Sequence, residues 1–237
     1  MLGYKQFILN NNTAETRRRL SHVLRDIEAS LGRGQYKDGN GGLLADLKKS
    51  TIKCLNISDT IIFWSQDDSP ESLKEFLDVC FSLNWRLNTF NFPVRGALIY
   101  DELEMIIGKE VSEGGGMYNV NTIYGKGLIH AHLKCENQSW AGCTIDGSLT
   151  DFISENGDIA TTLEPIAIKY MVPYTKEVAN QTEEYVLRLV TGSLNETAYG
   201  NVRNDIIDIF NRDNKGLSVR AEVMMNNTIQ FLKKFKA

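Results

Sequence analysis

The sequence predicts an α+β fold with a β-α-β-β-α-β order and further helices at its C-terminal end. Three observations predict it. A helical period runs over Thr13–Leu31. Two short β-prone runs, residues 51–57 and 60–64, are separated only by Ser58 and Asp59. A second helical period begins after Ser69 and leads into a β-prone run at 93–99. Apolar residues at helical spacing mark a helix, and short apolar or alternating runs mark strands. With a strand ahead of Thr13 the order becomes a ferredoxin-like half. Such folds host many functions, so function has to be argued from residues.

In the first helix Leu20, Val23, Leu24, Ile27 and Leu31 share one stripe, and Asn12 with Glu15 three residues later makes a capping box. Residues 32–42 are glycine-rich but lack the GK[ST] ending of a phosphate loop, and they read as a flexible connection. Ser58-Asp59 is long enough only for a hairpin tip. Ser69 caps the next helix, Pro70 takes its first position, and Leu73, Phe76, Leu77, Cys80 and Leu87 form its buried stripe. Gly125 opens a helix over 124–136. Strands are expected at 141–145, 163–171 and 185–190, and helices at 203–210 and 218–235. Asp67-Asp68, Asp101-Glu102 and Gly114-Gly115-Gly116 read as loop features.

The composition narrows the class. A chain of 237 residues, 42% hydrophobic and 24% charged, has the make-up of an ordinary globular protein. No apolar run reaches the ~20 residues of a membrane-spanning helix, and no apolar core of a secretory leader follows Met1. Cys54, Cys80, Cys135 and Cys143 show no CxxC spacing and read as buried thiols of a reducing, cytoplasmic setting. A net charge of −4 argues against a nucleic-acid partner. It leaves a nucleotide substrate open, because a metal ion and a few local cations can hold a triphosphate.

Four places carry candidate chemistry. Asp59, at a hairpin tip between apolar strands, is placed to hold Mg²⁺ or Mn²⁺ against a triphosphate, or is a turn residue. Arg95, inside an apolar strand, needs an anionic partner, either a structural carboxylate or a substrate phosphate. Gly96 beside it leaves room for a close backbone approach. Lys53 precedes the hairpin tip and reads by itself as a solvated edge lysine. His130 and His132 point about 200° apart on a helix, with no third ligand nearby, and read as one packed and one exposed histidine.

The order of these motifs resembles a known family. Ile57-Ser-Asp-Thr-Ile-Ile-Phe-Trp64 looks like the hairpin signature of class III nucleotide cyclases, and Pro93-Val-Arg-Gly-Ala-Leu-Ile99 looks like their arginine-bearing strand. The run from Tyr124 to Leu133 resembles their helix opening, and Leu133 to Gly142 resembles bacterial members. The resemblance covers roughly the first three quarters of the chain. It is nearest to the pyrimidine (uridylate or cytidylate) cyclases of the bacterial anti-phage Pycsar system.

That resemblance implies a homodimeric cyclase domain over 1–190, with a helical extension over 191–237. It implies that UTP, or CTP, is converted to cyclic UMP or cyclic CMP plus pyrophosphate with Mn²⁺ or Mg²⁺, and that the product acts on a separate effector protein. Asp59 is then a metal ligand, Arg95 a catalytic residue on the triphosphate, Lys53 and Thr122 the contacts to the base, and Lys176 a second phosphate cation. Met1-Leu2-Gly3-Tyr4 matches the stretch after the family's first metal aspartate, so that aspartate is expected immediately ahead of Met1. The family's transition-state Asn and Arg fall on Ile129 and Leu133, leaving Lys126, His130, His132 or Lys134 to substitute. The alternatives are an adenylate or guanylate cyclase and an inactive nucleotide-binding module.

Overall fold

The computed structural model describes residues 1–40, 42–175 and 182–237. It is a mixed α+β protein. Helices α1 (Tyr4–Asn10) and α2 (Thr13–Leu31) come first, then a small hairpin of β1 (Tyr36–Gly39) and β2 (Gly42–Ala45), then the hairpin of β3 (Lys53–Ile57) and β4 (Thr60–Trp64). Helix α3 (Pro70–Phe90) leads to β5 (Arg95–Leu98). A long hairpin of β6 (Glu104–Val111) and β7 (Met117–Tyr124) leads to α4 (Lys126–Asn137) and β8 (Gly142–Ile145). Helices α5 (Gly147–Asn156) and α6 (Ile159–Leu163), strands β9 (Ala167–Tyr170) and β10 (Glu184–Leu187), and helices α7 (Glu196–Asn211) and α8 (Val219–Leu232) complete the described chain.

A four-stranded sheet has the order β5-β8-β10-β9, with β5 and β8 parallel and the other neighbours antiparallel. The β3–β4 pair stands apart from it as a separate two-stranded sheet. One apolar cluster joins α1, α2 and α3, through Phe7, Val23, Ile27 and Leu87, to Ile52 and Phe92. A second places Leu77 of α3 against Leu98, Ile145 and Leu187. A third is built on Trp140 and carries α7 and α8 through Ile206, Phe210 and Phe231.

Between Gly3 and Thr13 the chain forms helix α1 and no strand. Gly3, at φ 78°, turns the chain into it, and Phe7 of α1 packs edge-on against Phe92 at 5.5 Å. The capping box of α2 is present, but its stripe differs from expectation: Leu24 is exposed and Arg19 is buried in its place. Residues 32–42 contain β1, so they are more than a connection. Asp101-Glu102 and Gly114-Gly115-Gly116 are loop residues as expected, but β6 and β7, the strands that flank the glycines, had no counterpart in the expected elements. The glycines lie at that hairpin's tip, where the Ser112 N–H donates to the Gly116 carbonyl at 2.8 Å. The strand expected at 163–171 starts only at Ala167, because Leu163 closes α6.

The turn between α7 and α8 reaches back to the start of the chain. Asn11 donates its side-chain amide to the Asp213 carbonyl at 2.7 Å, and Arg19 pairs with the Asp213 carboxylate at 2.8 Å. Arg212 donates to the carbonyls of Phe90 and Asn91 at the end of α3. Lys215 lays its ammonium over the Phe92 ring, 4.4 Å from the centroid. No described helix is long and apolar enough to cross a membrane.

Candidate functional site

Asp59 stands where the sequence places it, in the two-residue link between β3 and β4. Ser58 takes φ 56°, the positive value that tight hairpin turns use at their first central residue. The backbone carbonyl of Asp59 accepts from the Met1 amine at 2.6 Å. The next residue, Leu2, donates its N–H to the Pro93 carbonyl at 2.7 Å. The first two residues therefore bridge the hairpin tip to the segment that enters β5. Arg95, the first residue of β5, belongs to the same neighbourhood. Burial lowers the pKa of the Met1 amine, and the charges that act on it are Asp59, Arg95 and Glu136.

Arg95 has the anionic partner its strand position demanded, and that partner is a protein carboxylate. Its guanidinium pairs with Glu136 of α4 and also donates to the Glu136 and Gln138 carbonyls, at 3.2 and 3.1 Å. Gly96 provides the room expected of it. A Cβ there would meet the Cys143 sulfur at 2.9 Å across the parallel β5–β8 pair. Gln138 locks this end. Its amide donates to the Gly96 carbonyl and the Thr144 hydroxyl, both at 2.9 Å, while its oxygen accepts from the Trp140 indole at 2.8 Å.

The expected base contacts lie elsewhere. Lys53 is exposed and pairs in register with Trp64, at the opposite end of the hairpin from Asp59. At ~3.3 Å per strand residue that separates their backbones by roughly 17–20 Å. Thr122 is exposed on β7, opposite Ile106. One chain thus gathers Asp59 and Arg95 and leaves Lys53 and Thr122 outside that gathering. Lys176 lies outside the described residues. Ile129 and Leu133 are exposed apolar residues on α4. Of the basic residues expected to substitute for them, Lys126 approaches Glu102 at 3.8 Å and Lys134 is committed to another cluster, described next. Both histidines of the His130–His132 pair are exposed, so neither is the packed one expected. His130 Nδ1 lies 2.8 Å from an Asp101 carboxylate oxygen.

Sequence reasoning missed two arrangements. Glu136 gave no local sign of its pairing, since it lies 41 residues from Arg95. Lys134 joins α4 to Asp146, at 2.7 Å, and to Glu184, whose carboxylate also accepts from the Tyr174 hydroxyl at 2.6 Å. Burial opposes the Lys134 charge, but the two carboxylates outweigh it and hold its pKa above the ordinary lysine value. Burial and Glu184 push the Tyr174 phenol up as well. Of the four cysteines expected to be buried, Cys143 is, while Cys54, Cys80 and Cys135 are partly buried, and burial pushes Cys54 and Cys135 up to about 11.

The donor set can be tested against the implied divalent metal. Among the described residues no three His, Cys, Asp or Glu side chains gather into a metal-binding group. Asp59 is a single carboxylate at the tip, and Glu136 is engaged by Arg95. The described residues therefore do not by themselves fit a paired-metal site. Comparison with known proteins found no matching family model, curated protein or solved structure.

Proposed function

We propose that the chain is a pyrimidine nucleotide cyclase of the class III kind, acting as a homodimer. The observation that supports this reading is the nearness of Asp59, at a hairpin tip, and Arg95, at the head of edge strand β5, to the first two residues, Met1 and Leu2. A carboxylate and a guanidinium that both act on the Met1 amine suit a triphosphate and the charge that moves during its cleavage. In the reaction the ribose 3′-hydroxyl gives up its proton to solvent, its oxygen bonds to the α-phosphorus, the bond from that phosphorus to the bridging oxygen breaks, and pyrophosphate leaves with the bridging oxygen. Arg95 receives the phosphate charge by exchanging Glu136 for it.

Lys53 and Thr122 read the base from a second copy, because they stand away from Asp59 and Arg95 within one chain. Lys53 donates to O2 of the pyrimidine, and the Thr122 hydroxyl donates to O4 of uracil. UTP is therefore the preferred substrate over CTP, and cyclic UMP is the product passed to a separate effector. A second reading is a nucleotide-binding module without turnover. The closed Arg95–Glu136 pair and the apolar Ile129 and Leu133 favour it.

The test is to extend the chain ahead of Met1 with a strand ending in aspartate, incubate it with each of the four nucleoside triphosphates and Mn²⁺, and separate the products. Cyclic UMP in excess of the other products is expected. Asp59→Ala should abolish it while leaving the circular dichroism unchanged. A thermal shift with nucleotide but no cyclic product selects the second reading. No shift with any nucleotide removes both.

A further inference from the structure

A cavity of about 590 Å³ opens between β4, β5, α3 and α4. That size lies within the range of small-molecule sites, roughly 300–1,000 Å³. Its wall is apolar. Ile62 and Trp64 come from β4, Phe76 from α3, Ile99 from the end of β5 and Leu128 from α4. None of these five is fully buried, so part of their apolar surface stays uncovered.

The rim carries one sign of charge. Asp67 and Asp68 follow β4, Asp101 and Glu102 follow β5, and all four are exposed on the same cavity. No lysine, arginine or histidine is among the described lining residues. Glu102 has Lys126 at 3.8 Å, and Asp101 has the exposed His130 at 2.8 Å. Asp67 accepts from the Ser69 hydroxyl at 2.6 Å and Asp68 from the Tyr100 hydroxyl at 3.2 Å, both uncharged donors. The carboxylates outnumber the cations beside them, which favours a positive occupant and repels a phosphate-bearing one. Tyr100 adds a fixed aromatic face. Its phenol is tied to Asp68, and its ring stacks on Phe152 with centroids 4.0 Å apart. An ammonium ion beside carboxylates and an aromatic face is attracted by both.

We propose that this cavity binds a small organic ammonium ion, its apolar body against the wall and its charged head at the four-carboxylate rim. Asp59 precedes β4 and Arg95 heads β5, whereas the rim follows both strands. The site is therefore separate from the proposed triphosphate site and does not depend on the cyclase reading.

The experiment uses three probes with one apolar body: phenylbutylamine, phenylbutanol and phenylbutyrate, which are cationic, neutral and anionic at pH 7. Their binding to the full chain is measured by isothermal titration calorimetry. The amine should bind roughly tenfold or more tightly than the alcohol, and phenylbutyrate more weakly than either. Asp68→Asn together with Asp101→Asn should remove the margin of the amine and leave the affinity for the alcohol unchanged. Glu28→Gln together with Glu222→Gln makes the same charge change on α2 and α8 and should preserve that margin. Equal binding of amine and alcohol, or no binding of the amine at millimolar concentration, overturns the proposal. So does an equal loss in the α2 and α8 variant, which would make the effect one of overall charge. If the aspartate variant loses its circular dichroism, the order of the three probes on the unaltered chain still decides.

Discussion

Lys215 buries an ammonium almost completely, with 3% of its side chain exposed. Burial is the main cause that lowers its pKa to about 8. Arg19 and Arg212 add to this, and Asp213, 3.6 Å away, opposes it. The folded chain therefore releases this proton more readily than the unfolded chain, whose lysine keeps its ordinary value. Below about pH 8 both states hold the proton and the folded state carries the full cost, roughly 3 kcal/mol by the free energy of such a shift. Between about pH 8 and 10.5 only the unfolded state holds it, so stability rises with pH. Lys215→Met should raise stability at pH 7 by about 1–3 kcal/mol and flatten that rise, as read by urea denaturation at pH 7 and pH 9.5. An unchanged or lower midpoint at pH 7 would show that the contact with Asp213 outweighs the burial. Nothing near Lys215 in sequence reveals this, because Arg19 and Phe92 reach it from more than 100 residues away.

Helix α4 begins at a point where only glycine fits. Gly125 has φ 142°, and a Cβ there would lie 2.3 Å from the Glu102 carbonyl oxygen. Gly125→Ala should cost roughly 2 kcal/mol or more in thermal or urea unfolding, from strain and from the displaced β6 approach. A neutral effect would mean the segment before β6 moves aside freely. This element was legible in sequence because its glycine, period and length were local. So were α2, whose cap Asn12 shows, and the β3–β4 hairpin, whose tip is only two residues long. The β6–β7 hairpin was not. Its strands expose Ile106, Ile107, Val111, Met117 and Tyr118, so their apolar residues follow neither a one-sided nor a fully buried pattern. Helix α1 hid because seven residues carry too few turns to show a period. Of the candidate site, Asp59 and Arg95 were readable as residue types in position, but the pairing of Arg95 with Glu136 depends on how α4 returns to β5.

At the scale of the molecule, the same exposed hairpin sets an expectation for assembly. Ile107 is 64% exposed and Met117 70%, and Ile129 and Leu133 of α4 are exposed too. Val111 and Met117 pair in register on the hairpin, and contiguous exposed apolar surface of this kind marks an interaction site. Sedimentation at micromolar concentration should show a dimer, and Ile107→Lys together with Tyr118→Glu should shift it to monomer with unchanged circular dichroism. A wild-type monomer at tens of micromolar would remove the shared-site reading. The Asp213 clamp carries another consequence, in time. Asn11 and Arg19 cannot engage Asp213 until some 200 further residues have been made. At ribosomal rates of about 5–20 residues per second, the first two helices wait roughly ten to forty seconds for their last partner. During that interval the Arg19 guanidinium lacks its carboxylate partner, and the nascent chain is open to holding chaperones until the α7–α8 turn emerges.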